Sequence, residues 1–208
     1  MKIDWRTVGA FQENSYLVLD PASQRAVLVD PGAEADALIE MVRASGATLE
    51  AIWLTHAHID HIGAIADVKR LWDVPIYLHP ADQPLYDRGA MQAAVYGIPF
   101  EQPPAPDRTL AEGDIVTVGS LDFDVLHVPG HAPGHVAFVR EGHMVGGDLL
   151  FAGSIGRTDL PGGDYATLLA SIRGVLFAFG DDARVYSGHG PATTIGRERR
   201  TNPFLTSV

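Results

Sequence analysis

The 208-residue chain reads as an α+β protein in which two β-sheets lie face to face with helices outside. Three observations predict this. Short apolar or alternating segments of strand length recur in both halves. Each half runs through strands, a helix, a further strand and then a histidine. The composition, 46% hydrophobic and 20% charged, is that of an ordinary globular protein, so those apolar runs must bury one another. At this length a single domain over residues 1–208 is expected, with a sizeable core.

Residues 2–8 and 14–20 alternate and read as strands, with Gly9 and Asn14 marking the turn. Arg25–Val29 is a third strand, stopped by Asp30-Pro31-Gly32. Residues 34–45 fit an amphipathic helix with Ala37, Leu38, Met41 and Val42 on one side and Gly46 beyond its end. The run 51–54 is a buried strand, 63–72 a second helix and 74–79 a short strand. The stretch 80–108, with Pro99, Pro103, Pro104 and Pro106, reads as irregular, and a loop that long is usually functional or a lid. In the second half strands are expected near 115–118, 121–128, 135–140 and 143–146. A helix capped by Asp164 follows at 165–178, then a closing strand at 183–186.

The strand at 51–54 leads into Thr55-His56-Ala57-His58-Ile59-Asp60-His61-Ile62-Gly63, where four potential metal ligands lie within six residues. Imidazole with carboxylate suits zinc, iron or manganese better than calcium, which prefers oxygen cages. No single regular element aims all four side chains at one point. On a strand His61 opposes the other three, and on a helix the angular spread is too wide. A turn from strand end into helix start solves this. A polar loop that is merely rich in histidine is the plainer reading, but three imidazoles and a carboxylate packed this tightly make an odd surface without a cation.

Composition excludes several classes. The net charge of −11 argues against nucleic acid and against a membrane surface, both of which call for basic residues. The absence of cysteine removes disulfides, thiol nucleophiles and thiolate ligands together. The N-terminus lacks the apolar core of a signal peptide and no run is long enough to span a bilayer, so a cytoplasmic location is expected.

Three more residues stand in glycine-rich turns after strands: His131 in PGHAPGH, Asp148 in GGD and His189 in SGHGP. Singly, each is as readily a hydrogen-bonded loop residue as a ligand. In this order, however, the motifs THAHIDH, PGHAPGH, GDLLF and SGHGP resemble the metallo-β-lactamase superfamily across essentially the whole chain. The run 153–164, GSIGRTDLPGGD, is similar to its compact bacterial glyoxalase II-like (hydroxyacylglutathione hydrolase-like) thioester hydrolases.

The resemblance implies the four-layer αββα sandwich of that type and two divalent metal ions, zinc foremost with iron or manganese as alternatives. His56, His58 and His131 would hold the first ion. Asp60, His61 and His189 would hold the second, with Asp148 bridging. Asp30 matches a supporting aspartate behind the ligands. The implied reaction is hydrolysis of a thioester such as S-lactoylglutathione by a hydroxide bridging the metals, with Asp60 helping to orient it. Such a hydroxide needs no protein nucleophile, in keeping with the absence of cysteine. Arg157 falls near a basic residue that contacts glutathione in larger members, although a salt bridge to Asp159 or Asp164 is the plainer account. Arg197, Arg199 and Arg200 read as a solvated helix face. Among the remaining histidines, His79, His127 and His143 read as structural and His135 as the candidate for support behind a ligand.

The chain departs from full-length glyoxalase II in ending at Val208, without the C-terminal helical region that supplies much of the glutathione site. The stretch 80–108 is expected to roof the cleft in part. An iron-dependent persulfide dioxygenase shares these motifs, its single iron held by the counterparts of His56, His131 and Asp148. β-Lactamase activity is disfavoured, since the cysteine-bearing type is excluded. A non-enzymatic, metal-stabilised module would require a closed site without a water position.

Overall fold

In the computed structural model, which describes residues 1–206, the six strands of the N-terminal half pair in sequence order. They are Lys2–Val8, Glu13–Asp20, Arg25–Val29, Thr48–Trp53, Ile76–Leu78 and Arg108–Thr109. The first three are antiparallel because short turns join them. From Arg25–Val29 onward the pairs are parallel, because helical segments carry the chain back between strands. Helix Ala35–Ser45 makes the first of these crossings and buries Leu38, Ile39, Met41 and Val42. It stops where Gly46, at φ +70°, donates its N–H to the Arg43 carbonyl.

The helix expected at 63–72 is two helices, Ile59–Ile62 and Ile65–Leu71, and the first begins inside the histidine motif. Gly63 marks the break. A Cβ there would stand 2.3 Å from the Gly32 carbonyl oxygen, so the chain bends where it presses on the turn after Val29. The stretch 80–108 is also more regular than expected, with a 3₁₀ turn Pro80–Asp82 and helices Gln83–Asp87 and Gly89–Tyr96. Pro99, Pro103, Pro104 and Pro106 all lie beyond Tyr96, outside these helices, while Pro80 and Pro84 occupy first-turn positions, where a missing N–H costs nothing.

Contacts divide the chain into two compact units, residues 1–110 with 116–122, and residues 111–115 with 123 to the C-terminus. The second unit is built on the strands Thr193–Thr194, Arg184–Ser187, His143–Gly147, Val136–Arg140 and Leu121–His127, in that order across the sheet. The pair His143–Gly147 and Arg184–Ser187 is parallel and is connected through helix Tyr165–Ala178. Asp164 caps that helix by accepting the Thr167 N–H at 2.7 Å. A small hairpin, Leu150–Phe151 with Ser154–Ile155, and a C-terminal helix Ile195–Thr201 complete the unit. Among the described residues no helix is long and apolar enough to cross a membrane.

Candidate metal centre

In the first unit, strand Thr48–Trp53 delivers the chain into the histidine motif and helix Ile59–Ile62 takes it out. His58 is the residue before that helix, in extended conformation, while Asp60 and His61 lie on its first turn. The rings of His56 and His58 meet edge to face at 4.8 Å, and those of His56 and His61 lie 4.0 Å apart. His56 and His61 are fully buried, His58 nearly so, and Asp60 half-buried.

Asp30 organises this knot from behind. One carboxylate oxygen accepts the Thr55 N–H at 2.7 Å; the other accepts the Thr55 hydroxyl at 2.6 Å and His61 Nδ1–H at 3.0 Å. Because the Thr55 hydroxyl proton goes to Asp30, its oxygen accepts from His56 Nδ1 at 3.1 Å. Both imidazoles are thereby set as Nδ1–H tautomers, and each turns an Nε2 lone pair outward, the form a metal requires. Asp30 itself has φ +50°, in the left-handed region that aspartate tolerates better than most residues. Asp30, His56 and His61 each bring a donor atom within 4.8 Å of the others.

Three supports here escaped the sequence reading. Thr55 links Asp30 to His56, as above. Asp82, fully buried, accepts the Ala57 N–H at 3.0 Å. Gln92 accepts from Ile59 N and donates to Ala57 O, both at 3.1 Å. The segment expected as a lid therefore carries two side chains that hold the backbone between the ligands. No side-chain pattern signals such contacts, because they are made to main-chain atoms far away in sequence.

In the second unit the three expected ligands come from three turns. His131 follows Gly130, whose φ of +129° and closeness to the Leu168 backbone exclude a side chain. Asp148 follows strand His143–Gly147, and His189 follows strand Arg184–Ser187. His131 Nε2 and His189 Nε2 each lie 3.4 Å from the same oxygen of Asp148, Oδ2. His131 Nδ1 donates to the Arg157 carbonyl at 2.8 Å, so in the neutral ring its Nε2 carries the lone pair. His135, fully buried, donates from Nδ1 to the Val128 carbonyl at 3.2 Å and accepts the Asp148 N–H on Nε2 at 3.1 Å. It thus fixes the backbone of one ligand. Gly156 presses on the same place, since a Cβ there would stand 2.0 Å from the Asp148 carbonyl oxygen.

A cation fits this donor set. A lone pair on His131 aimed at a carboxylate oxygen at 3.4 Å is repulsive unless positive charge stands with them. Neutral imidazoles converging on a carboxylate are the donors of a zinc, iron or manganese site.

Arg157 is exposed and binds Asp159 through two hydrogen bonds, 2.7 and 2.6 Å, the plainer of its two expected roles. Those bonds hold the Asp159 carboxyl at about 2, below the usual carboxylate value. Arg199 and Arg200 lie on the exposed side of helix Ile195–Thr201, both bonded to Asp181. Glu198 of that helix is buried and accepts the Gly153 N–H at 2.8 Å, a contact with no sequence signal.

Residues 8–189 match the metallo-β-lactamase superfamily, and the chain belongs to it. Its fold is the α+β fold of that superfamily. Within it, the chain is 42% identical to hydroxyacylglutathione hydrolase GloC of Haemophilus influenzae, over all of this chain and 99% of that one. The structure of TTHA1623 in a di-iron-bound form is 46% identical, with a TM-score of 0.90 over 97% of this chain and 100% of that one. The B3 metallo-β-lactamase BLEG-1 is 40% identical, with a TM-score of 0.92 over 99% of this chain and all of that one.

Proposed function

We propose that the chain is a two-metal hydrolase of thioesters, with S-lactoylglutathione or another hydroxyacyl-thiol as substrate. The observation that supports this most is the aim of His131 Nε2 and His189 Nε2 at one oxygen of Asp148. The GloC likeness supports the substrate class, and the di-iron TTHA1623 likeness supports the metal count. His56, His58 and His131 would hold one ion and Asp60, His61 and His189 the other, with Asp148 shared.

When bound, the metals supply an acidified water and a Lewis acid for the carbonyl oxygen. The protein's own residues do the rest. Asp30 and Thr55 hold His61 and His56 with Nε2 lone pairs outward, and the Arg157 carbonyl does the same for His131. His135 keeps the backbone of Asp148 in place. Asp60 takes a proton of the attacking water as a hydrogen bond and so fixes its lone pair toward the carbonyl carbon. The water oxygen adds to the carbonyl carbon, the carbon–sulfur bond then breaks with its electron pair on sulfur, and the protons released from the water pass to solvent as the acid and the thiolate leave. No side-chain nucleophile takes part, and the chain has no cysteine to serve as one.

A second reading, hydrolysis of a β-lactam amide, draws support from the likeness to BLEG-1. The test is turnover of S-lactoylglutathione, a β-lactam and a persulfide by protein of known metal content, with oxygen uptake followed throughout. Thioester hydrolysis without oxygen uptake is expected. β-Lactam turnover alone would favour the second reading, and oxygen uptake on the persulfide with one iron bound would replace both.

A further inference from the structure

The first unit contains a cleft of about 560 Å³, a volume that houses a drug-sized ligand. A lactoyl group would leave most of it empty. Phe11, Ile59, Ile98 and Phe100 form apolar walls, and the Phe11 ring is fixed edge to face against Tyr96 at 4.9 Å. Asp60, one of the proposed metal ligands, also lines the cleft. The charge of the other lining residues is one-sided. Glu34, Asp67 and Glu101 are three carboxylates against one guanidinium, Arg70, which already bonds both Asp67 and Glu101. Glu34 is anchored by accepting the Gly9 N–H at 2.9 Å.

We propose that this cleft receives the acyl chain of the thioester, and that the preferred chain is apolar and uncharged. The proposal rests on the hydrolase reading above and narrows it. Apolar walls gain from burying methylenes. The acidic lining repels a carboxylate, whether on the acyl group or on glutathione, and Arg70 is engaged by two acids. The favoured substrates are therefore acyl chains longer than lactoyl, on a thiol whose own charges lie outside the cleft.

The test uses the metal-loaded protein and two series on an uncharged thiol. One is the thioesters from S-acetyl- to S-hexanoyl-N-acetylcysteamine; the other is the matching non-hydrolysable thioethers, whose binding is measured by calorimetry. Thioether affinity is expected to rise about fourfold per added methylene, with kcat/KM for the thioesters rising in parallel. Ala33→Trp, which fills the half-buried wall beside Gly9, should flatten both slopes. If that variant fails to fold, Ala35→Trp on the same lining replaces it. A flat thioether series, an unchanged slope in the filled variant, or equal binding of a carboxylate-ended chain would overturn the proposal. Lactoylglutathione cleaved alongside a flat thioether series removes the proposal and leaves the hydrolase reading. A steep thioether series without hydrolysis of any thioester removes the hydrolase reading and leaves the cleft's preference for apolar chains.

Discussion

The two sets of expected metal ligands, one in each unit, are built on opposite plans. In the first unit the ligands crowd into one stretch, His56 to His61, and their geometry is imposed from a distance. Asp30, Asp82 and Gln92 reach in from sites 25 to 35 residues away to hold either an imidazole or the main chain. In the second unit the expected ligands come from three separate turns, held by main chain and by glycines more than by side chains: the Arg157 carbonyl on His131, close contacts at Gly130 and Gly156, and His135 on the Asp148 N–H. A dense ligand motif needs remote supports because one short turn cannot stiffen itself. Residues that stand at strand ends are already placed, so main-chain acceptors and glycine contacts suffice to aim them.

The largest effect is expected where the second half loses its shared ligand. Asp148→Ala should lower thioester hydrolysis by roughly a thousandfold or more, as removal of a principal charge-stabilising group does. Steady-state kinetics with S-lactoylglutathione checks this; activity within tenfold of the wild type would remove Asp148 from the centre. Next come the close backbone approaches, one in each half. A Cβ at Gly32 would stand 1.7 Å from the Asp60 carbonyl, and one at Gly156 stands 2.0 Å from that of Asp148. Gly32→Ala and Gly156→Ala should each cost about 3 kcal/mol, read by urea denaturation. Equal tolerance of both would mean that neither turn is as tight as drawn.

Asp30→Ala removes the acceptor for Thr55 and His61. A ten- to hundredfold loss of metal affinity is expected, measured by chelator competition. Gln92→Ala should cost about 1 kcal/mol of stability, with a smaller loss of metal affinity than Asp30→Ala. A larger loss would reverse the ranking of imidazole support over backbone support. The smallest effect is predicted at the exposed Arg157–Asp159 pair. Arg157 holds the Asp159 carboxyl at about 2, below the unfolded value of 3.8, so the pair's contribution is complete above the higher value. It is lost as pH falls through about 2. Because both side chains are exposed, Asp159→Asn should leave hydrolysis at neutral pH unchanged, and an NMR titration should find this carboxyl among the most acidic.

The contrast between the halves also explains what could be read from sequence. Arg25–Val29 was legible to the residue because a β-rich run stops at Asp-Pro-Gly, and Tyr165–Ala178 was legible from its cap and apolar content. The crowded ligands announced themselves by density. Helix Ile59–Ile62 did not, because its four residues are too few to show a period. The hairpin Leu150–Phe151 with Ser154–Ile155 was missed for the same reason. Thr55, Asp82 and Gln92 were invisible because their role is to meet main-chain atoms or another polar side chain, which any sequence presents. His135 was half legible: it sits in the PGHAPGH motif, and only the structure pairs it with the Asp148 N–H.

The proposed hydrolysis requires both sets of residues to hold metal. Elemental analysis of the purified protein, beside that of Asp148→Ala and Asp30→Ala, measures this most directly. Two ions per chain in the wild type, with one or fewer in Asp148→Ala, is the predicted result. A wild type that stays metal-free after reconstitution, or an Asp148→Ala protein that still holds two ions, would contradict it.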